Sequence, residues 1–511
     1  MTGTRRARWG AGLLVVGLLL GGPAWAEGRP SAVLRLLHVN DVYEVDPDAE
    51  GAGGLAALKT LVAHERSRPG ADQTVVTFGG DLISPSLLSG LDQGAHMLTA
   101  MGQVGVEVAV PGNHEFDFGA PVLARLLGST PFPWLGTNVL GQDGQPFAGM
   151  ERTALRSVGA YKVGFLGVLT PETTKLSSPG ATVRFAPVVE TVRETVAALK
   201  AQGADVIVAL THQDVADDRA LLERVPAIDV IVGGHDHEGI VWSDQGRVIL
   251  KAGSDAKALG VIDLTLQERP TKTGPVVTTR PDVRLIPNVG QTPDPALAGL
   301  IAQWHASLDD ALGQPLVTLG VPLDSRRAAV RTQESTMGDL IADALRIGTG
   351  ADVALVNGGG IRADRLYDAG ASLSARDVLT ELPFGNVVMV LRLTGAELRA
   401  ALEHGLSAVE EGAGRFPQVS GLTLTWDRKK PAGSRLVTVA VAGTPLDPAA
   451  SYTLATTNFT ADGGDGYTFG TARPVVDASA GRLMTTLVID YLKSLGGEVK
   501  TLETGRLIPV E

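Results

Sequence analysis

The feature that most constrains this chain is a theme repeated from about residue 33 to residue 266. A short β-branched apolar run ends in glycines or a polar cluster, and in most cases a helical pattern comes next. The runs are residues 34–39, 74–78, 106–110, 163–169, 205–210 and 227–232. Continuous apolar runs of this length read as strands buried on both faces, which requires a layer on each side. Two further runs, 247–251 and 261–266, lack helical spacers, so some antiparallel pairing is expected. The expected fold class is α/β, a layered sandwich.

At 511 residues the chain holds two large domains or three smaller ones. The first 26 residues are read separately. Arg5, Arg6 and Arg8 precede an apolar run over 10–20, and Ala24-Trp25-Ala26 comes after it, the layout of an export signal. Arg5-Arg6 also fits a twin-arginine signal, so the export route stays open. After Pro287 the pattern changes. Leu297, Leu300, Ile301, Trp304, Leu308 and Leu312 recur at helical spacing behind the cap Asp294-Pro295, predicting a connecting helix over 295–312. Beyond 320 a second mixed region is expected, with helices at 335–347 and 394–403 and strands near 353–356, 387–393, 423–426 and 452–456. The expected organisation is a signal peptide over 1–26, a first domain over 27–291, a linker helix and hinge over 292–320, and a second domain over 321–511.

Charge and cysteine count exclude several classes. The formal net charge is −12, and the leader's three arginines leave the remainder more acidic still. A nucleic-acid polymer is therefore not an expected partner, since such binding rests on dense Lys/Arg contacts with phosphates. A small anionic substrate fits if basic groups are locally concentrated. There is no cysteine, which excludes disulfides, thiolate metal sites, cysteine nucleophiles and lipid attachment to an N-terminal cysteine. No run outside the leader offers ~20 consecutive apolar residues, so stable membrane insertion is not expected.

The chemistry lies just beyond the end of each strand. Residues 34–39 lead into Asn40-Asp41, 74–78 into Gly79-Gly80-Asp81, and 106–110 into Gly112-Asn113-His114-Glu115. Residues 205–210 lead into Thr211-His212, and 227–232 into Gly233-Gly234-His235-Asp236-His237. Five strands thus deliver metal-capable groups at their carboxyl ends, the edge of an α/β sheet where ligands sit. Carboxylate, amide oxygen and imidazole together suit Zn²⁺, Mn²⁺, Fe²⁺ or Co²⁺. Asp81, central in the set, is the natural bridge between two ions ~3.5–4 Å apart, an arrangement that activates water and braces a phosphoryl group. A lone Asp after a strand is usually a turn or cap; the joint occurrence of all these groups is what argues against that. His38, His64, His96, His305 and His404 lack such clusters and are read as structural or surface residues.

On these motifs the first domain resembles the calcineurin-like metallophosphatases, and the chain beyond its leader resembles the exported bacterial 5'-nucleotidases. The resemblance implies a four-layer α/β/β/α sandwich followed by a smaller mixed α+β nucleotide-binding domain. It implies that Asp81 bridges two divalent ions, that Asn113, His212 and His235 complete one site, and that Asp41 and His237 belong to the other. It also implies that His114 and Asp117 form the catalytic pair, the imidazole sitting beside the phosphate to stabilise charge or to protonate the leaving oxygen and the carboxylate orienting it. One position departs: the family usually has His two residues after the first Asp, where this chain has Tyr43. Tyr43 as a phenolate ligand, as a placeholder for water, or facing elsewhere are all open readings, and each implies a weaker or altered first metal site.

Four motifs beyond 320 resemble the family's second domain: 357–362, 383–386, 419–421, and 458–459 through 463–467. There Phe384 and Phe459 can clamp a purine, a contact of ~1–3 kcal/mol per base. Asn386 can bond the base edge, Gly421 lets a backbone approach the ring, and Asp465 can accept from ribose hydroxyls. Arg327, Arg331 and Arg362 can fork onto phosphate oxygens. The implied function is hydrolysis of nucleoside 5'-monophosphates to nucleoside and orthophosphate by a metal-activated water, in a periplasmic or secreted enzyme whose second domain rotates about 292–320. Alternatives are a 2',3'-cyclic phosphodiesterase with 3'-nucleotidase activity, a UDP-sugar or nucleotide pyrophosphatase, a nucleotide-binding protein with a decayed metal centre, and a sulfur-oxidation hydrolase of the same fold.

Overall fold

Two sheets lie face to face in the first half of the chain. In the computed structural model, which describes residues 29–272, 274–478 and 480–510, the first sheet has the order Gly274–Pro287, Ala258–Thr271, Ala32–Val39, Gln73–Phe78, Val108–Ala109. The second runs Gly239–Asp244, Arg247–Ala252, Val230–Gly234, Val206–His212, Tyr161–Leu169, Thr153–Val158. The export signal expected over residues 1–26 lies outside the described residues.

Strand alternation explains the layering. Along Ala32–Val39, Leu34 and Leu36 enter the core between the sheets, while Leu37 and Val39 face the helices Leu55–Ser67 and Ala95–Val104. Along Val206–His212, Val208 and Leu210 point to the same inter-sheet core, and Ile207 and Ala209 pack on the helices Val188–Ala201 and Val215–Arg224. The result is the four-layer α/β/β/α sandwich. The inner strands pair in parallel, and Ala258–Thr271 pairs antiparallel with Ala32–Val39, as the missing helical spacers imply.

Two elements differ from expectation. Only Val108–Ala109 of the run 106–110 is paired, because this segment is the sheet edge and its chain turns away into the loop that carries Asn113. The run 261–266 extends to Ala258–Thr271 and pairs along its whole length with Gly274–Pro287, a strand the sequence pattern did not predict. That strand holds Pro275 and Pro281, which argue against a strand in general but are tolerated at a sheet edge.

The connecting helix forms with its expected bounds, Pro295–Leu312, and the Asp294 side chain accepts from the Leu297 N–H at 2.9 Å. It docks on the first half of the chain. Leu297 and Ile301 enter that core, Trp304 meets the His96 ring at 5.5 Å, and Lys59 pairs with Asp294 at 3.0 Å. Its last turn meets the second half, where Arg376 donates to the Asp309 carbonyl at 3.0 Å.

The second half is mixed α+β. Its main sheet has the order Pro417–Ser420, Val353–Asn357, Ser451–Thr457, Val387–Thr394, Arg473–Val476. The helices Thr336–Thr349 and Met484–Ser494 share the core on one face, and Gly395–Gly405 packs in the core on the other. Among the described residues no helix is long and apolar enough to cross a membrane.

Candidate active site

The carboxyl ends of the central strands converge on one buried point. Asp41, Asp81 and His212 each present a donor atom within 4.8 Å of the others. His237 Nε2 lies 3.2 Å from Asp41 Oδ1, His212 Nε2 lies 3.2 Å from Asp81 Oδ2, and the His212 and His235 rings are 5.1 Å apart. The backbone is bent to achieve this: Asp41, Asp81, His235 and His237 all sit at left-handed φ, 53°, 64°, 89° and 57°. Such conformations cost ~1–3 kcal/mol each and persist only where the surroundings enforce them. Gly234 permits the close approach, since a Cβ there would stand 2.6 Å from Asp41 Oδ2 and 2.9 Å from His212 Nδ1.

Three buried side chains hold the loops. The Glu115 carboxylate accepts the backbone N–H groups of Asp81 at 2.9 Å, Leu82 at 2.7 Å and Gly112 at 2.5 Å, tying the Asp81 loop to the Asn113 loop. Asn40 Nδ2 donates to Asp41 Oδ2 and to the Gly253 carbonyl, both at 2.6 Å. Lys251 Nζ donates to the carbonyls of Gln213 and Gly234, at 2.6 and 2.8 Å, and pairs with Asp218 at 3.0 Å and with Asp236. Glu115 and Asn40 stood in the sequence motifs without a role. Lys251 lies within a strand-forming run and carries no local signal.

The donor set fits divalent ions. Both polar atoms of Asn113, Nε2 of His212 and Nδ1 of His235 are buried without a hydrogen-bond partner. Each such orphan costs ~1–3 kcal/mol unless something else binds it. The Gly79 carbonyl accepts a hydrogen bond from His212 Nδ1 at 2.8 Å, which leaves Nε2, beside Asp81, as the ring atom that a metal would take. Burial opposes ionisation of Asp81, yet the neighbouring His212 and His114 hold its carboxyl well below the usual range. Burial likewise disfavours charge on His212, but Asp81 pushes its pKa up to about 9. The pocket is built for positive charge.

His114 stands beside this centre. Its Nε2 is 4.0 Å from Asp81 Oδ2, and its Nδ1 is 2.7 Å from Asp117 Oδ2. The other Asp117 oxygen accepts the Ser177 hydroxyl at 2.7 Å, a contact the sequence did not suggest because 60 residues separate the two. Asp117 and Ser177 also line a cavity of about 140 Å³ shared with Thr349 and Arg482 of the second half.

Tyr43 turns inward. Its hydroxyl lies 3.1 Å from Asp81 Oδ2, 3.4 Å from Asp41 Oδ1 and 2.9 Å from His237 Nε2. Among the histidines read as structural, His38 is wholly buried, bridges Thr77 and the Gly233 carbonyl, and is held neutral by burial at a pKa of about 4. His404 donates from Nε2 to the Asp465 carbonyl at 3.0 Å. It therefore supports a loop of the second cavity.

That second cavity, about 480 Å³, is lined by Arg331, Asn357, Gly359, Gly360, Arg362, Phe384, Asn386, Gly414, Phe459 and Asp465. Phe384 and Phe459 are 57% and 44% exposed, unusual for phenylalanine and suited to a stacking role. The Arg362 guanidinium lies 5.4 Å from the Phe384 ring centre. Asn357 Nδ2 donates to Asp465 Oδ2 at 2.7 Å, fixing the carboxylate. Burial and the charges of Arg327 and Arg362 lower the Arg331 pKa. Six of the eight residues expected here line the cavity. Arg327 is exposed at its margin, near enough to act on Arg331. Gly421 lies elsewhere, in a separate cavity with Arg346 and Asp352. Its φ of 77° and the tight packing of Asp352 and Arg346 against it explain the glycine without a ligand. Gly414 was missed, although Gly412-Ala413-Gly414 ahead of Phe416 was the signal at hand.

A strand-end cluster of hard and borderline donors on this sandwich, with an imidazole–carboxylate pair alongside, defines a metal-dependent phosphoesterase. Residues 34–239 match the calcineurin-like phosphoesterase family and residues 315–471 match the 5'-nucleotidase C-terminal domain. The 5'-nucleotidase precursor of Thermus thermophilus is similar over 94% of this chain and 99% of its own, at 30% identity and a TM-score of 0.55. The chain belongs to the 5'-nucleotidase family. A 5'-nucleotidase of Diplobatis ommata is 28% identical over 96% of this chain and 92% of its own length. The trifunctional nucleotide phosphoesterase protein of Bacillus subtilis is 30% identical over 93% of this chain, which spans only 35% of that protein.

Proposed function

We propose that the protein hydrolyses nucleoside 5'-monophosphates to nucleoside and orthophosphate with two divalent ions, Asp81 bridging them. Asn113, His212 and His235 would hold one ion and Asp41 and His237 the other. When bound, the ions acidify water and offset charge on the phosphoryl oxygens. His114, oriented through Nδ1 by Asp117, protonates the departing nucleoside oxygen from Nε2. Phe384 and Phe459 take the base between them, Asn386 bonds its edge, Asp465 accepts from the ribose, and Arg331 and Arg362 meet phosphate oxygens.

The observation that carries this reading is the cavity of the second half, which two exposed aromatic side chains, a hydrogen-bonded carboxylate and two arginines line together. The cavity's lining draws on the second half alone, so turnover requires it to swing toward the metal ligands. The docking of helix Pro295–Leu312 on the first core supports a joint at its C-terminal end, near Gly313, within the linker assigned to 292–320 and between domains at 27–291 and 321–511. The leader pattern supports export to the periplasm or medium, readable by cell fractionation.

The test is phosphate release from AMP, 3'-AMP, 2',3'-cyclic AMP and UDP-glucose, with and without chelator. AMP hydrolysis that disappears on metal removal and in Asp81→Ala is expected. Hydrolysis that survives thorough chelation, or AMP binding with no phosphate release, overturns the proposal.

A further inference from the structure

Both oxygens of the Asp117 carboxylate are committed. Oδ2 lies 2.7 Å from His114 Nδ1, and Oδ1 accepts the Ser177 hydroxyl at 2.7 Å. The carboxylate side chain is 2% exposed and the imidazole 1%, so bulk solvent steers neither. A carboxylate held at one oxygen still turns about its Cβ–Cγ bond, a broad torsion. A second fixed point removes that freedom.

The hydroxyl that supplies it is tied to the strand ends that carry the metal-capable groups. Its loop leaves strand Tyr161–Leu169, whose last residue pairs with His212. The Thr170 N–H donates to the His212 carbonyl at 2.9 Å, and the buried Thr173 hydroxyl donates to the Thr170 carbonyl at 2.7 Å. The Ser177 N–H in turn donates to the Thr173 carbonyl at 3.1 Å. Every partner in this series belongs to the first half of the chain. The hold on Asp117 is thus built without the second half, which the proposed turnover moves.

We propose that Ser177 is a positioning residue for the hydrolysis: it sets the direction of the Asp117 carboxylate and, through it, the ring of His114. No bond forms or breaks at Ser177. The proposal rests on the reading of His114 as the proton donor.

Two features of the loop separate this role from simple occupancy. Ser178 lines the same cavity of about 140 Å³, yet among the described residues only the Ser177 hydroxyl reaches the second Asp117 oxygen. A water drawn from that cavity into Ser177→Ala would meet the oxygen's hydrogen-bonding need, but it has no tether to the loop and does not aim the carboxylate. The Ser177 backbone is extended, φ −150° and ψ −162°, a conformation that a β-branched residue adopts readily. Threonine there keeps the hydroxyl.

The experiment is a double-mutant cycle read on metal-loaded protein with two substrates, AMP and an aryl phosphate whose leaving group needs no proton. Ser177→Ala is expected to lower kcat for AMP by about 10- to 100-fold, the worth of a hydrogen bond to a charged group, with KM little changed. The loss on the aryl phosphate is expected to be smaller, and metal content to match wild type. Ser177→Thr is expected to restore most of the AMP rate, and Ser178→Ala to behave as wild type. In an Asp117→Ala background, Ser177→Ala is expected to add nothing, because its only route to the chemistry is already gone. An unchanged kcat in Ser177→Ala, equal losses on both substrates, losses that multiply in the double variant, or depleted metal would each overturn the positioning role and leave the hydrolase reading standing. Wild type that releases no phosphate from AMP overturns both.

Discussion

Asp117 stands between His114 and Ser177, 2.7 Å from each, so the imidazole that faces Asp81 is oriented by a carboxylate that is itself oriented. Removing the middle group leaves the ring free to turn. Asp117→Ala is expected to lower kcat for AMP by roughly 10²–10⁴-fold with little change in KM. With an aryl phosphate whose leaving phenolate needs no proton, the loss shrinks. Equal losses on both substrates would show that His114 is not the proton donor.

Glu115 collects the N–H groups of two ligand loops on one carboxylate. Glu115→Ala leaves those donors unpaired and slackens the link between Asp81 and Asn113. Metal affinity is expected to fall by about 10–100-fold, read by titrating metal-free protein calorimetrically. An unchanged affinity would mean that the loops are held by the rest of the sandwich.

Phe384 and Phe459 are expected to act on nucleotides alone. Replacing either with Ala removes about 1–3 kcal/mol of stacking, roughly a 5- to 150-fold rise in KM for AMP. Hydrolysis of a small phosphate ester with no ring is expected to stay as it was. If both substrates suffer alike, the rings belong to the fold and not to the clamp.

Much of the fold was legible because its signals are local. The helix Pro295–Leu312 announced itself through a capping Asp, a proline at its first position and a clean helical period. The central strands did so through unbroken β-branched runs. Gly274–Pro287 was not legible, because an edge strand needs neither an apolar face nor freedom from proline. At the site, candidate ligands placed directly after a strand could be read in order, as could the contiguous stretch from Asn113 to Asp117. Ser177 and Lys251 reach the centre from segments with no motif of their own. Gly421 shows the converse error: a glycine within a recognisable stretch serves the backbone packing of Asp352.

Asp339 offers a test of stability away from the chemistry. Burial, only partly offset by Arg506 and reinforced by Glu334 and Asp343, pushes its pKa from 3.8 up to about 8. Neither carboxylate oxygen has a hydrogen-bond partner. The folded chain therefore keeps a proton that the unfolded chain releases, and this group's contribution falls as pH rises from about 3.8 to about 8, then levels off. Asp339→Asn is expected to raise Tm relative to wild type at about pH 8 and to narrow that gain toward about pH 4. A constant difference across that range would refute the shifted carboxyl.

The left-handed backbone beneath Asp41, Asp81, His235 and His237 bears on how the centre fills. Because Glu115, Asn40 and Lys251 hold the loops that carry those residues, the donor atoms are gathered by the fold, and loosening one of the three is expected to disturb the whole set at once.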